Sequence, residues 1–312
     1  LPVRDVMMKL MFREIEEGRG TPHGGVYIDL SKSPRSPDEV TAILHRLDSL
    51  PYNELKDLGI NVLEQPIEVM PVTHYTLGGA RVNEWAETTV PGLYAAGEVG
   101  GNVHGANRTS GNALAETQVF GQRAGLRAAQ YALGRQSPAI DEALVSEESK
   151  RIYSFREERP NGIRPIEFKR KIKAVMHEHV HYRRHAGGLT TAIEMLRDLR
   201  AEELEFVQAT AGSEIYNYEW EEVLEVHAMV QLAELVAASA LAREESRGHH
   251  WRTDFPEMRS DWEKHTLVRR IDETTYNVTE LPIVRLKDRR NERRAADPLL
   301  LEAGVLEGYR TP

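Results

Sequence analysis

Apolar positions recur on one face of a 3.6-residue repeat over 6–17 (VMMKLMFREIEE). This predicts an amphipathic helix, stopped by Gly18 and Gly20. The pattern then shortens. GGVYIDLS (24–31) and IEVMPVTHYTLGG (67–79) read as strands, the second running into a glycine turn. Between them, SPDEVTAILHRL (36–47) opens on a Ser-Pro-Asp-Glu start and predicts a capped helix. GLYAAGE (92–98) reads as a small buried strand ending on glycine and an acid. Helical periodicity returns from Asn112 to about Leu133, followed by a linker at 134–140 (GRQSPAI). Beyond it the pattern is almost continuously helical: 141–157, 166–183, 188–209 and 216–246, with few glycines. A strand-like stretch at 265–281 and a basic, irregular tail complete the chain, and no internal repeat is present.

The 312 residues exceed what one compact core usually holds, so two or more packed units are expected. A net charge of −9 argues against a nucleic-acid binder, which carries a basic face. The chain has no cysteine, which excludes disulfides, zinc ribbons and cysteine-ligated iron–sulfur clusters within it. LVAASALA (235–242), its longest uncharged apolar run, is too short to span a bilayer. No signal-peptide pattern is expected, and an opening LPVRDVMMKL without methionine suggests a piece of something longer.

The candidate chemistry lies within about forty residues. His74 follows a strand, Glu98 ends another, and Arg108 stands alone in NVHGANRTSGNAL (102–114) among residues with almost no side chain. Each alone has an ordinary structural reading: a hydrogen-bonded histidine, a turn, a surface ion pair. Together they suit a planar cofactor and a carboxylate. Small residues let a flat ring approach the backbone. A helix starting at Asn112 offers free N–H groups to whatever lies before it, and Arg108 with His74 supplies donors for a carboxylate.

PVTHYTLGGARVN (71–83), TTVPGLYAAGEVGGNVHGANRTSGNAL (88–114) and VFGQRAG (119–125) resemble the flavoprotein subunit of succinate dehydrogenase and fumarate reductase; L-aspartate oxidase belongs to the same superfamily. The resemblance extends to VRDVMMKLMFREIEEGRG (3–20) and AREESRGHHWRTDFPEMRSDWEKHTL (242–267), and corresponds to the C-terminal half of such a flavoprotein. It implies an α/β plus all-α fold. A partial capping domain would occupy 1–66, the returning segment of an FAD-binding α/β domain 67–134, a helical bundle domain 135–256, and a strand-like, basic tail 257–312. It implies His74 and Arg108 as ligands of a succinate- or fumarate-like dicarboxylate, and Arg4 as the proton-transferring residue. It implies FAD as cofactor, with Glu98 on the ribityl chain and the backbone of Ala113 and Leu114 at the pyrimidine edge.

Further implications are an upstream FAD-binding half, an iron–sulfur partner subunit, and a cytoplasmic place on the inner membrane face, reached only through partner subunits. Ala113 stands where serine is usual, Leu77 where methionine is common, and Thr109-Ser110 replace a Leu-Gly-like pair, which leaves the exact substrate open. The G-x-G-x-x-G fingerprint for the ADP half of FAD is absent from this chain.

HEHVH (177–181) matches the H-E-x-x-H zinc motif, with His177, His181 and His185 on one face and Glu178 as the would-be base. Arg184 occupies the place of the metzincin glycine, and a polar helix face without metal is the expectation. Trp220, Val223, Leu224, Val230, Ala233 and Leu241 form a core stripe. Arg247, His250 and Arg252 read as structural or electrostatic support, and RLKDRRNERR (285–294) as a solvated tail, with a docking surface as the alternative. L-aspartate oxidase and a non-enzymatic helical interaction module stand as the other readings.

Overall fold

The structure, a computed structural model, describes residues 4–47, 49–210, 212–272 and 275–283. The basic run 285–294 therefore lies outside the described residues. Two compact units divide the chain, Leu1–Gln130 and Tyr131–Pro312. The architecture is mixed α/β with helices dominant, and the strands among the described residues form three two-stranded sheets.

In the first unit, α1 (Arg4–Glu14) ends in a π-helical turn, Ile15–Arg19, that Gly18 breaks with φ +78°. Strand β1 (Val26–Ile28) pairs antiparallel with β2 (Ile67–Val69), Val26 opposite Val69. Helix α2 (Pro37–Leu47) carries the expected capping box. The Ser36 N–H donates to Glu39 Oε2 at 2.9 Å, and the Glu39 N–H to Ser36 Oγ at 3.3 Å. Helix α3 (Ser49–Asp57) is not legible as periodicity, and its Pro51 stands in the first turn, where no helical hydrogen bond is lost.

The expected strands at 67–79 and 92–98 shrink. Beyond β2 they persist only as extended chain, held by single bridges pairing Ala80 with Gly100 and Glu87 with Tyr94. Strand-forming residues make a ladder only where a neighbouring backbone supplies partners. The unit ends in α4 (Asn112–Ala132).

The second unit is a helical bundle. Helix α5 (Glu142–Ser154) is capped by Asp141, and α6 (Pro165–Val175) starts on proline. Helix α7 (Ala186–Asp198) is capped by the His185 ring, which accepts the Gly188 N–H at 3.1 Å. Helix α8 (Tyr218–Ala242) is capped by Asn217. Phe168 and Ile172 of α6, Leu189 and Leu196 of α7, and Val223, Val226 and Val230 of α8 are fully buried together. The anticipated α8 stripe lines this core, with Trp220, Leu224 and Leu241 packed at its margin.

Helix α8 is long and apolar enough to cross a membrane by length and composition. Uninterrupted apolar runs in the sequence do not reveal this. Its apolar positions are spent on the bundle core, and Glu234, 3% exposed, is held there by Arg197 at 2.6 Å and Arg200 at 3.3 Å. A helix apolar around most of its circumference is what the centre of a bundle requires. Strands β3 (Arg183–Arg184) and β4 (Trp251–Arg252) pair in parallel, and β5 (Lys264–Arg270) with β6 (Tyr276–Pro282) makes an antiparallel hairpin. Tyr276 and Val278 lean on the bundle core.

Candidate active site

The site is built on the extended chain around 73–80, the loop 95–111 and the start of α4. Gly79 sets the spacing of the first two. A Cβ there would meet the Val99 carbonyl oxygen at 2.3 Å, which no side chain tolerates, and its φ is +154°. The Ala80 N–H donates to Val99 O and the Gly101 N–H to Ala80 O, both at 2.8 Å. The two backbones thus meet directly.

This contact brings His74 and Arg108 together. Arg108 Nη2 donates to His74 Nε2 at 3.1 Å, which requires the imidazole to present its unprotonated nitrogen. His74 is exposed, whereas Arg108 is only 9% exposed. Among the described residues no carboxylate pairs with Arg108. Gly105 and Gly111 flank it with open space where a side chain would begin. A nearly buried guanidinium without a counterion is an arrangement that favours an incoming anion.

Three residues that sequence reasoning passes over complete the surroundings. The Tyr75 ring lies under the Arg108 guanidinium, 4.4 Å from centroid to Cζ. The Tyr75 hydroxyl reaches Glu116 Oε2 and His104 Nε2, both at 3.4 Å. Burial, then the carboxylates of Glu116 and Glu98, push the phenol above its ordinary range, so it stays protonated. Glu116, 5% exposed on α4, accepts the Gly97 N–H on its other oxygen at 3.0 Å. The available signals are Tyr75 beside His74 and an acid one turn into α4.

Glu98, expected on a ribityl chain, accepts the Thr76 N–H on Oε1 at 2.7 Å and is exposed. Ala113 and Leu114 form the first turn of α4, where backbone N–H groups have no partner within the helix. Leu114 is 77% exposed. The side chain of Arg4 lies outside what is described. Its neighbour Asp5 accepts from Asn107 Nδ2 at 3.0 Å, which ties the start of α1 to the residue preceding Arg108. The residues fit a flavin in kind: open glycines, the first turn of a helix and an exposed acid lie close together in the sequence.

In the helical unit the H-E-x-x-H stretch does not sit on one regular α-helix. Met176–Val180 is a π-helical turn, and His181 leaves helical geometry at φ −44°, ψ −150°. The rings of His177 and His181 lie 5.0 Å apart, tilted by 40°, and His185 faces Gly188 as the α7 cap.

Arg247, His250 and Arg252 belong to a buried polar knot. Arg252, 1% exposed, grips Asp254 with two hydrogen bonds at 2.7 and 2.8 Å, and caps the last carbonyls of α8 at Ala240 and Leu241. Its guanidinium holds the Asp254 carboxyl well below the usual range. Arg184 donates to His250 Nδ1 at 2.8 Å, and His250 Nε2 faces the Arg243 carbonyl at 3.2 Å. Burial, reinforced by Arg184, lowers the His250 pKa to about 3, and burial beside Arg252 lowers that of Arg184 to about 10. Arg247 pairs with the fully buried Glu245 at 2.8 Å.

Residues 1–114 match the family described as an FAD binding domain, and residues 169–293 match the one described as the C-terminal part of the fumarate reductase flavoprotein. The chain is 42% identical to a CoM/CoB fumarate reductase polypeptide of Methanothermobacter marburgensis, over 86% of this chain and 47% of that protein. It is 34% identical to the fumarate reductase flavoprotein subunit of Mycobacterium tuberculosis, over 90% and 49% of the two chains. The solved E. coli quinol fumarate reductase chain FrdA superposes with a TM-score of 0.78 at 29% identity, over 90% of this chain and 48% of that one. The chain thus spans about half the length of the curated relatives it matches.

Proposed function

Because the chain belongs to the family of fumarate reductase and succinate dehydrogenase flavoprotein subunits, we propose that it is the C-terminal half of an FAD-dependent enzyme interconverting succinate and fumarate. The observation that carries this reading is the contact of Arg108 with His74 beside open glycines. FAD, held by these residues, would supply the hydride carrier. The residues of this chain do the rest. Arg108 grips one carboxylate with its two-pronged edge, and His74 donates to a carboxylate once the substrate has displaced its bond to Arg108. Both groups stabilise charge that develops on the carboxylate during transfer.

Arg4, at the start of α1, moves the proton at the neighbouring carbon. A desolvated guanidinium can exchange with a carbon acid far weaker than itself when neighbours relay the proton. Asp5, tied to Asn107, gives that relay a fixed position. Glu98 would offer its second oxygen to the ribityl chain of FAD, and the backbone N–H groups of Ala113 and Leu114 would hold the pyrimidine edge.

Electrons leave through an iron–sulfur partner, since a chain without cysteine holds no such cluster itself. Attachment at the inner membrane face is through partner subunits. The identity to a relative named for CoM/CoB favours that pair as a second electron donor to be tried. The test is to produce the chain with its upstream half and partner. A yellow complex that reduces fumarate with a reduced viologen dye, and loses that activity in Arg108→Gln, is the expected outcome. A colourless product would favour the helical interaction module, and oxidation of L-aspartate would favour the oxidase.

A further inference from the structure

We propose that Tyr75 is a positioning residue for the dicarboxylate clamp, its ring face holding the Arg108 guanidinium while Glu116 holds the ring. The proposal rests on the reading of Arg108 as a carboxylate ligand. It starts from what an arginine side chain does when left alone. Four rotatable bonds let its guanidinium occupy many places, and ordering it opposes any binding that needs one of them. A charged partner would order Arg108, but it would also occupy the edge that must receive the substrate.

The site orders the cation differently. Its face rests on the Tyr75 ring at 4.4 Å, and one nitrogen donates to His74 at 3.1 Å. A π face attracts a guanidinium without consuming its in-plane N–H donors, so those not bonded to His74 stay available to an incoming anion. In a largely desolvated place, such as that of the 9% exposed Arg108, this attraction is strongest.

The ring is itself anchored. Its hydroxyl meets Glu116 and His104, its edge packs against the His104 ring with centroids 5.6 Å apart, and Glu116 also takes the Gly97 N–H. A second strut runs one residue later, from the Thr76 N–H to Glu98. Two consecutive residues, 75 and 76, thereby bind the clamp segment to the 97–98 corner. That corner is the one expected to face the flavin, so substrate and cofactor positions are set by a common frame. Tyr75 touches neither the substrate nor the cofactor in this reading, and acts through Arg108.

The experiment uses the complete flavoprotein in its complex, with mono-, di- and trifluorophenylalanine placed at position 75 beside Tyr75→Phe. These rings are nearly equal in shape, while each fluorine weakens the negative face that attracts the guanidinium. The Kd of malonate, an unreactive dicarboxylate, is read from the flavin spectrum. We expect it to climb stepwise, roughly tenfold across the ladder, with flavin content constant and kcat within about twofold at saturation. A Kd that stays flat along the ladder overturns the proposal, because a ring that only fills space would give that result. Fluorotyrosines at about pH 6 keep the hydroxyl and its partners, and form a second ladder with the same expected order should the phenylalanine parent lose flavin. Arg108→Gln separates the two levels. If malonate binds that variant as tightly as wild type, the carboxylate reading of the site itself fails, whatever the ladder shows.

Discussion

A guanidinium that is nearly buried, stacked on a ring and lacking a carboxylate is a position where arginine and lysine differ. Lysine supplies a point charge and cannot lie flat on Tyr75 while presenting two donors in a plane. Arg108→Lys is therefore expected to raise the KM for the dicarboxylate by about tenfold or more while the protein stays folded, as steady-state kinetics with unchanged flavin content will show. The second residue-scale expectation concerns His250. Its folded pKa is about 3 against 6.5 unperturbed, so between those values the unfolded chain binds a proton that the folded chain refuses. Stability then falls as the pH drops through that window, by up to about 1.4 kcal/mol per pH unit for one proton. His181, His227 and His265 are displaced in the same direction by burial and add to the slope. His250→Gln can keep both hydrogen bonds without titrating. Denaturant midpoints measured from about pH 7 to about pH 4 should lose roughly one proton of slope. An unchanged slope would show that His250 is not the group responsible.

At the scale of elements, most helices are legible in the sequence, whereas strands are legible as stretches but not in their extent, for a physical reason. The inner turns of a helix satisfy their own backbone, so in α2 capping residues and a 3.6-residue apolar rhythm mark the element within its own stretch of sequence. Ser36 and Glu39 fold into the box they spell. GLYAAGE spells a strand just as clearly, yet a strand is a relation between two segments, and here 92–98 finds only the single bridge from Tyr94 to Glu87. The candidate site is legible where a residue type is itself the signal: the lone cation Arg108 and His74, 34 residues apart, do meet. Tyr75 and Glu116 are not legible, because a tyrosine and a helical glutamate carry no distinctive signal until the folded chain brings them together. The corner that makes this closure depends on Gly79. Gly79→Ala forces a Cβ to within 2.3 Å of the Val99 carbonyl oxygen, so the bridge of Ala80 with Gly100 must open. Loss of dicarboxylate binding with the helical unit still folded by circular dichroism is the expected result. Retained binding would mean the backbone shifts without disturbing Arg108.

Across the whole molecule the two units carry their apolar residues differently. The helical unit encloses a continuous core from Phe155 to Ala240. The unit containing the clamp buries few apolar side chains and leaves Met70, Val72, Leu93, Val99 and Leu114 more than half exposed. Relatives about twice as long contain further chain that could cover them. Among the described residues the unit Leu1–Gln130 thus buries little apolar surface to stabilise it alone. The chain produced by itself is expected to bind a hydrophobic dye such as ANS strongly, and co-production with the upstream half is expected to abolish most of that fluorescence. Equal fluorescence in both preparations would count against the half-protein reading. The glycine contacts at the corner also set what laboratory evolution can reach. Gly79 meets backbone too closely to admit a side chain and Gly101 is tightly approached by the backbone of Gly79 and Ala80, whereas Gly105 and Gly111 border open volume. New substrate preferences must then be written on one wall, by residues such as Leu77, Thr109 and Ser110, while the opposite wall stays fixed in any descendant that still works.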